Sequence, residues 1–98
     1  MMTLRDLRTV FDNETTFYLC RKFVSDDEGK EYIEQIKISN YLWGHDEIAN
    51  MVVGMDTVKA ARFQVHIYTS MPSIVWKAWK EYAECVEIVC NTMASEEV

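Results

Sequence analysis

The spacing of apolar residues changes period along this chain, and those changes divide it into elements. Over residues 72–93 apolar side chains return at helical spacing. At about 100° per residue, Val75, Trp79, Tyr82, Val86, Val89, Cys90 and Met93 fall on one stripe, with Trp76 and Ala83 on its flank. Lys77, Lys80, Glu84 and Asn91 fall opposite. Pro72 suits a first turn, where its missing N–H costs nothing, and Ser70 is placed to cap it. Two indoles and a tyrosine on one helix carry enough apolar area to anchor a small core. The pattern therefore predicts a long C-terminal helix that the rest of the chain is built to receive. The alternative is a strand over residues 86–89. It would account for Ile88, which otherwise lies about 220° round the helix from Val75, on the polar side.

Upstream the period shortens. Residues 4–11 make a short amphipathic helix whose buried face is Leu4, Leu7, Val10 and Phe11. Thr3 stands as its N-cap, and Asp6 three residues on gives a capping-box-like pair. Residues 15–24 alternate at strand period, with Phe17, Leu19 and Phe23 on one side and Tyr18, Cys20, Lys22 and Val24 on the other. A polar loop over residues 25–30, containing Gly29, leads to a second strand over residues 31–39. Tyr32, Ile36 and Ile38 share one face of it; Ile33, Gln35 and Lys37 share the other. Residues 46–53 read as a short helix, with Ile48 and Val52 one turn apart and Gly54 at its end; a strand over residues 50–55 is the alternative. Residues 62–69 are the cleanest strand, Phe63, Val65 and Ile67 alternating with Arg62, Gln64, His66 and Tyr68. The polar side of that alternation implies a sheet with one wet face. The expected fold is α+β: one domain over residues 1–98, an antiparallel sheet of three or four strands, with an N-terminal helix and a long C-terminal helix packed on one face.

Composition adjusts this picture in three ways. An apolar fraction of 49% in 98 residues is that of a folded globule. Sixteen acidic against ten basic residues give a net charge of −6, which argues against direct binding to nucleic-acid phosphates and for a protein partner with a basic surface. Three cysteines, Cys20, Cys85 and Cys90, are odd in number and lack metal-ligand spacing. Cys85 and Cys90 point about 140° apart on a helix, so they share neither a metal nor a disulfide. Buried or half-buried thiols in a reducing cytoplasm are the expectation, with no membrane span, signal peptide or cofactor.

Candidate chemistry is sparse. His45 beside Asp46 and Glu47 does not form a metal site, because adjacent residues rarely converge on one ion. His66 lies on the polar side of its strand with Gln64 and Tyr68, and reads as a surface histidine. Cysteine–histidine pairs meet in space and not in sequence, so a small enzyme or ligand site assembled from Cys20, His66 and Tyr68 is the alternative reading. The densest acidic patch is Asp26, Asp27, Glu28, Glu31 and Glu34, and Glu81, Glu84 and Glu87 recur on the last helix. Trp43 in a glycine-flanked segment and Ile88 on a polar helix face suggest a contact surface for a partner or a second copy.

The opening Met2-Thr3-Leu4-Arg5-Asp6-Leu7, followed by Val10-Phe11 and Thr16-Phe17-Tyr18-Leu19, resembles the start of many small phage and prophage proteins of Gram-positive bacteria. Those run from a T-L-[KR]-[DE]-L helix into a strand hairpin. The resemblance covers the first quarter of the chain and implies a class: small acidic proteins of mobile elements, acting in the host bacterial cytoplasm. Some of that class inhibit host defence enzymes, the anti-CRISPR proteins among them, although no anti-CRISPR motif is present. The function this implies is a non-catalytic viral protein that binds and inhibits a host protein, by nucleic-acid mimicry where its acidic surface occupies a basic channel. Asp26, Asp27, Glu28, Glu31, Glu34, Trp43 and Ile88 are the expected partner-binding residues, self-association being the further alternative.

Overall fold

A computed structural model describes the backbone of residues 1–96 and the side chains of residues 1–86. Helix α1 (Leu4–Val10) opens the chain with the capping box that Thr3 and Asp6 anticipate. The Thr3 hydroxyl accepts from the Asp6 N–H at 3.2 Å, and the Asp6 carboxylate accepts from the Thr3 N–H at 3.1 Å. The latter bond holds the Asp6 carboxyl below its ordinary pKa. The helix is short, seven residues, and Phe11 ends it in extended backbone.

Strands β1 (Thr16–Val24) and β2 (Glu31–Lys37) form the expected antiparallel hairpin. Its loop closes through a Ser25 N–H to Lys30 carbonyl bond of 2.8 Å and through Gly29, whose φ of 64° favours a residue without Cβ. The chain then crosses the sheet through two single helical turns, α2 (Asn40–Trp43) and α3 (Asp46–Ala49), and a 3₁₀ turn at Met55–Thr57. The expected helix over residues 46–53 is thus one turn long. Val52 instead makes an antiparallel bridge to Thr3, and the buried Val53 donates its N–H to Met2.

A strand the sequence did not announce, β3 (Val58–Ala61), pairs antiparallel with β4 (Gln64–Tyr68) across a two-residue turn. Phe63, expected on the buried side of a strand, is a turn residue at φ 65° and 49% exposed. The sheet order is β2-β1-β4-β3, with β1 and β4 parallel. The sheet is therefore mixed, not antiparallel throughout. The cause is the crossover: it carries the chain over the helical side, so the second hairpin lands beyond β1 and its outer strand brings β4 back in the direction of β1.

One face of this sheet is packed. Phe17, Leu19, Ile36, Ile38, Val65 and Ile67 meet Leu4, Leu7, Leu42, Ile48, Val53 and Trp76 in the core. Helix α4 (Ser73–Glu96) begins one residue after Pro72, whose carbonyl accepts the Trp76 N–H at 2.9 Å, and it continues as helix through residues 86–89. Its buried face is turned by about 70° from the expected stripe, towards Trp76, Trp79 and Ala83. Trp76 is fully buried, while Val75 is 40% and Tyr82 38% exposed. The indole N–H decides the register: Trp76 donates to the Glu34 carboxylate at 2.8 Å, which satisfies the polar atom of a buried ring.

Candidate functional site

Among the described residues, no helix packs across the opposite face of the sheet, and α4 borders only its β2 edge, where Lys80, Ala83, Glu84 and Val86 line a groove with Tyr18, Gln35 and Lys37. Strand alternation sends Thr16, Tyr18, Cys20, Lys22 and Val24 of β1 to this side, with Glu31, Ile33, Gln35 and Lys37 of β2, Gln64, His66 and Tyr68 of β4, and Lys59 and Ala61 of β3. Register then aligns them. Lys37 lies opposite Tyr18, Tyr18 beside His66, and His66 opposite Lys59, so four strands contribute one line: Lys37, Tyr18, His66, Lys59. Three strand spacings make this line about 14 Å long. The next line is Gln35, Cys20, Tyr68.

At the centre the Tyr18 and His66 rings stack, with centroids 5.1 Å apart and planes 19° from parallel. Both imidazole nitrogens are engaged. Nδ1 lies 3.3 Å from Gln35 Nε2 and 3.5 Å from Cys20 Sγ, and Nε2 lies 3.2 Å from Gln64 Oε1. The tautomer with its proton on Nε2 donates to Gln64 Oε1 and leaves the one lone pair of Nδ1 facing two donors, the Gln35 amide and the Cys20 thiol. Tyr68 sits among cations, with Lys59 Nζ 5.3 Å and Lys22 Nζ 5.9 Å from its ring centroid. Beyond it, where β1 and β4 end, a depression of about 640 Å³ is lined by Arg21, Lys22, Lys59, Tyr68 and Thr69, with Asp56 as the acid among them.

The structure thus brings Cys20, His66 and Tyr68 together, as the ligand-site alternative requires. It also limits what they do. Cys20 is fully buried beneath its neighbours, and burial pushes its thiol pKa up, away from the thiolate that nucleophilic chemistry needs.

The described members of the expected partner-binding set lie in three places. Asp26, Asp27, Glu28 and Glu31 are exposed at the hairpin end, where Lys30 sits 3.5 Å from Glu28. Glu34 belongs to the packed side, held by Trp76 and by Lys80 at 3.2 Å, and these contacts, the indole first, lower its pKa. Trp43 is half-buried, edge-on to Phe17 at 5.5 Å and capped by the Arg8 guanidinium 4.4 Å from its ring centroid. The side chain of Ile88, like those of Glu87 and Cys90, lies outside the described residues. His45, read as a loop histidine, hydrogen-bonds the Tyr82 hydroxyl at 2.8 Å and meets the edge of Trp79, which ties α4 to the crossover.

Among the described residues, no group of three or more acids, cysteines and histidines is arranged to hold a metal, and no helix is long and apolar enough to cross a membrane. Comparison with protein-family models, with curated proteins and with solved structures gives no match.

Proposed function

We propose that this protein is a non-catalytic recognition module and that the open sheet face is its ligand-binding surface. The observation that carries this reading is the composition of that face. An idle wet face needs only scattered polar residues. This one lines up stacked rings, two amides hydrogen-bonded to His66, and lysines, and keeps its own thiol, Cys20, buried and protonated, while the exposed Cys85 lies on α4. Such a surface binds flat or anionic groups and does no covalent chemistry with them.

A second reading follows the resemblance to small phage proteins: the protein binds and inhibits a host protein through its acidic hairpin end. The exposure of Asp26, Asp27 and Glu28 on one loop, with Glu31 at the start of β2, favours it. Such charges act by steering towards a basic surface and lose effect with salt.

One experiment separates the two. Immobilised protein is incubated with bacterial lysate at low salt, with two charge-reversed variants run in parallel: Lys37→Glu with Lys59→Glu, and Asp26→Lys with Asp27→Lys and Glu28→Lys. All five positions are exposed, so both variants fold. The open-face reading expects capture to be lost in the first variant and kept in the second. The reverse pattern supports the acidic end and overturns the open face.

A further inference from the structure

Resting on the open-face reading, we infer that the ligand is single-stranded nucleic acid. The argument is one of joint chemistry. A lysine stands at each end of the Lys37-Tyr18-His66-Lys59 line, and Lys22 flanks Tyr68 in the next. Three lysines against Glu31, at the far end of β2, make this face basic although the chain is acidic. That selects an anionic partner and turns away arginine-rich peptides, which would otherwise suit the rings. The stacked Tyr18 and His66 select a ligand with flat faces, which a run of acidic side chains lacks. The Gln35 and Gln64 amides, each an exposed donor and acceptor beside the stack, suit the edges of bases. Nucleotides carry all three properties at once. The strand must be single, because in a duplex the base faces are already stacked on one another and the sheet meets only backbone.

Net charge does not forbid this. Most of the acids that make the chain −6 lie away from the line of lysines: Asp26, Asp27 and Glu28 in the hairpin loop, Asp46 and Glu47 of α3, and Glu81 of α4; Glu84 borders the β2 edge near Lys37, and Asp56 lies near Lys22 and Lys59. At physiological salt, fields fade over about 8 Å, so a ligand on the sheet face responds chiefly to the lysines beneath it. The depression next to Tyr68, where Arg21, Lys22 and Lys59 outnumber Asp56, provides a seat for a phosphate at the end of the line.

The test is fluorescence anisotropy with three labelled probes: a thymidine dodecamer, the same strand annealed to its complement, and a dodecamer of glutamate. The free strand should bind at least tenfold tighter than the duplex or the peptide. Its affinity should fall with a slope of about −2 in log–log salt plots, three lysines at about −0.7 each. Lys37→Gln with Lys59→Gln should cut that slope to about −0.7 and weaken binding at least tenfold. Tyr18→Leu, which keeps an apolar residue on the strand, should weaken the free strand about tenfold and leave the salt slope unchanged, since a stacked base is lost and no charge is. Lysine-dependent binding of the glutamate peptide that equals or exceeds that of the strand overturns the nucleic-acid inference and leaves the open face standing. If no probe responds to the lysine variants, both readings fall.

Discussion

Glu34 is the residue on which two parts of the molecule agree. It sits on an edge strand, yet it accepts the indole N–H of the fully buried Trp76 of α4 and pairs with Lys80 one turn on. Both contacts favour the carboxylate, so its pKa lies below the ordinary glutamate value of about 4.3. A depressed pKa means that the stabilisation is complete above the unfolded-state value and is lost as pH falls through the folded one. Glu34→Gln keeps an acceptor for Trp76 and removes the charge. Urea melts should find the variant about 1 kcal/mol less stable at pH 7, and the gap should close on acidification below about pH 4. A gap that persists or grows in acid contradicts the assignment. Phe63 is the other residue out of pattern. An aromatic ring at positive φ is uncommon, and it holds the tight turn that makes β3 a strand at all.

At the scale of elements, the question is which side of α4 is the core. Trp76 is fully buried and hydrogen-bonded, while Trp79 lies half-covered among His45 and Tyr82. Trp76→Ala should therefore cost about 3–5 kcal/mol, and Trp79→Ala distinctly less, about 1–2 kcal/mol. Chemical melts that rank them the other way would restore the stripe centred on Trp79. That stripe is the natural reading of residues 72–93, and apolar side chains surround so much of the helix that periodicity alone does not choose a face. What chose it was a hydrogen bond to Glu34, forty-two residues earlier in the chain. The β1–β2 hairpin, the α1 capping box and the wet side of β4 were legible, since each is written in local alternation or local side-chain pairing. β3 was not: Val-Lys-Ala-Ala has little strand signal, and it is a strand because β4 offers it an edge. The parallel pairing of β1 with β4 was equally hidden, because it depends on where a crossover of short turns sets the chain down.

At the scale of the whole molecule, the fold sorts charge and chemistry that the sequence mixes. Lysines and acids are interspersed along β2 and the loops, and only strand order and register gather Lys22, Lys37 and Lys59 around Tyr18, His66 and Tyr68. The candidate site was half visible for that reason. Every member lay on the polar side of a recognisable strand except Lys59, but nothing in the sequence placed β4 against β1. The acidic residues that stood out instead divide between a solvent-exposed loop and a packing contact. The account stands on the claim that the open face receives the ligand, and amide NMR of the isotope-labelled protein titrated with the thymidine dodecamer tests it most directly. It predicts shifts that concentrate on Tyr18, Cys20, Gln35, Lys59, His66 and Tyr68, while α1 and the hairpin loop stay unmoved. Shifts centred on Asp26 to Glu31, or on the helical side of the sheet, would contradict it.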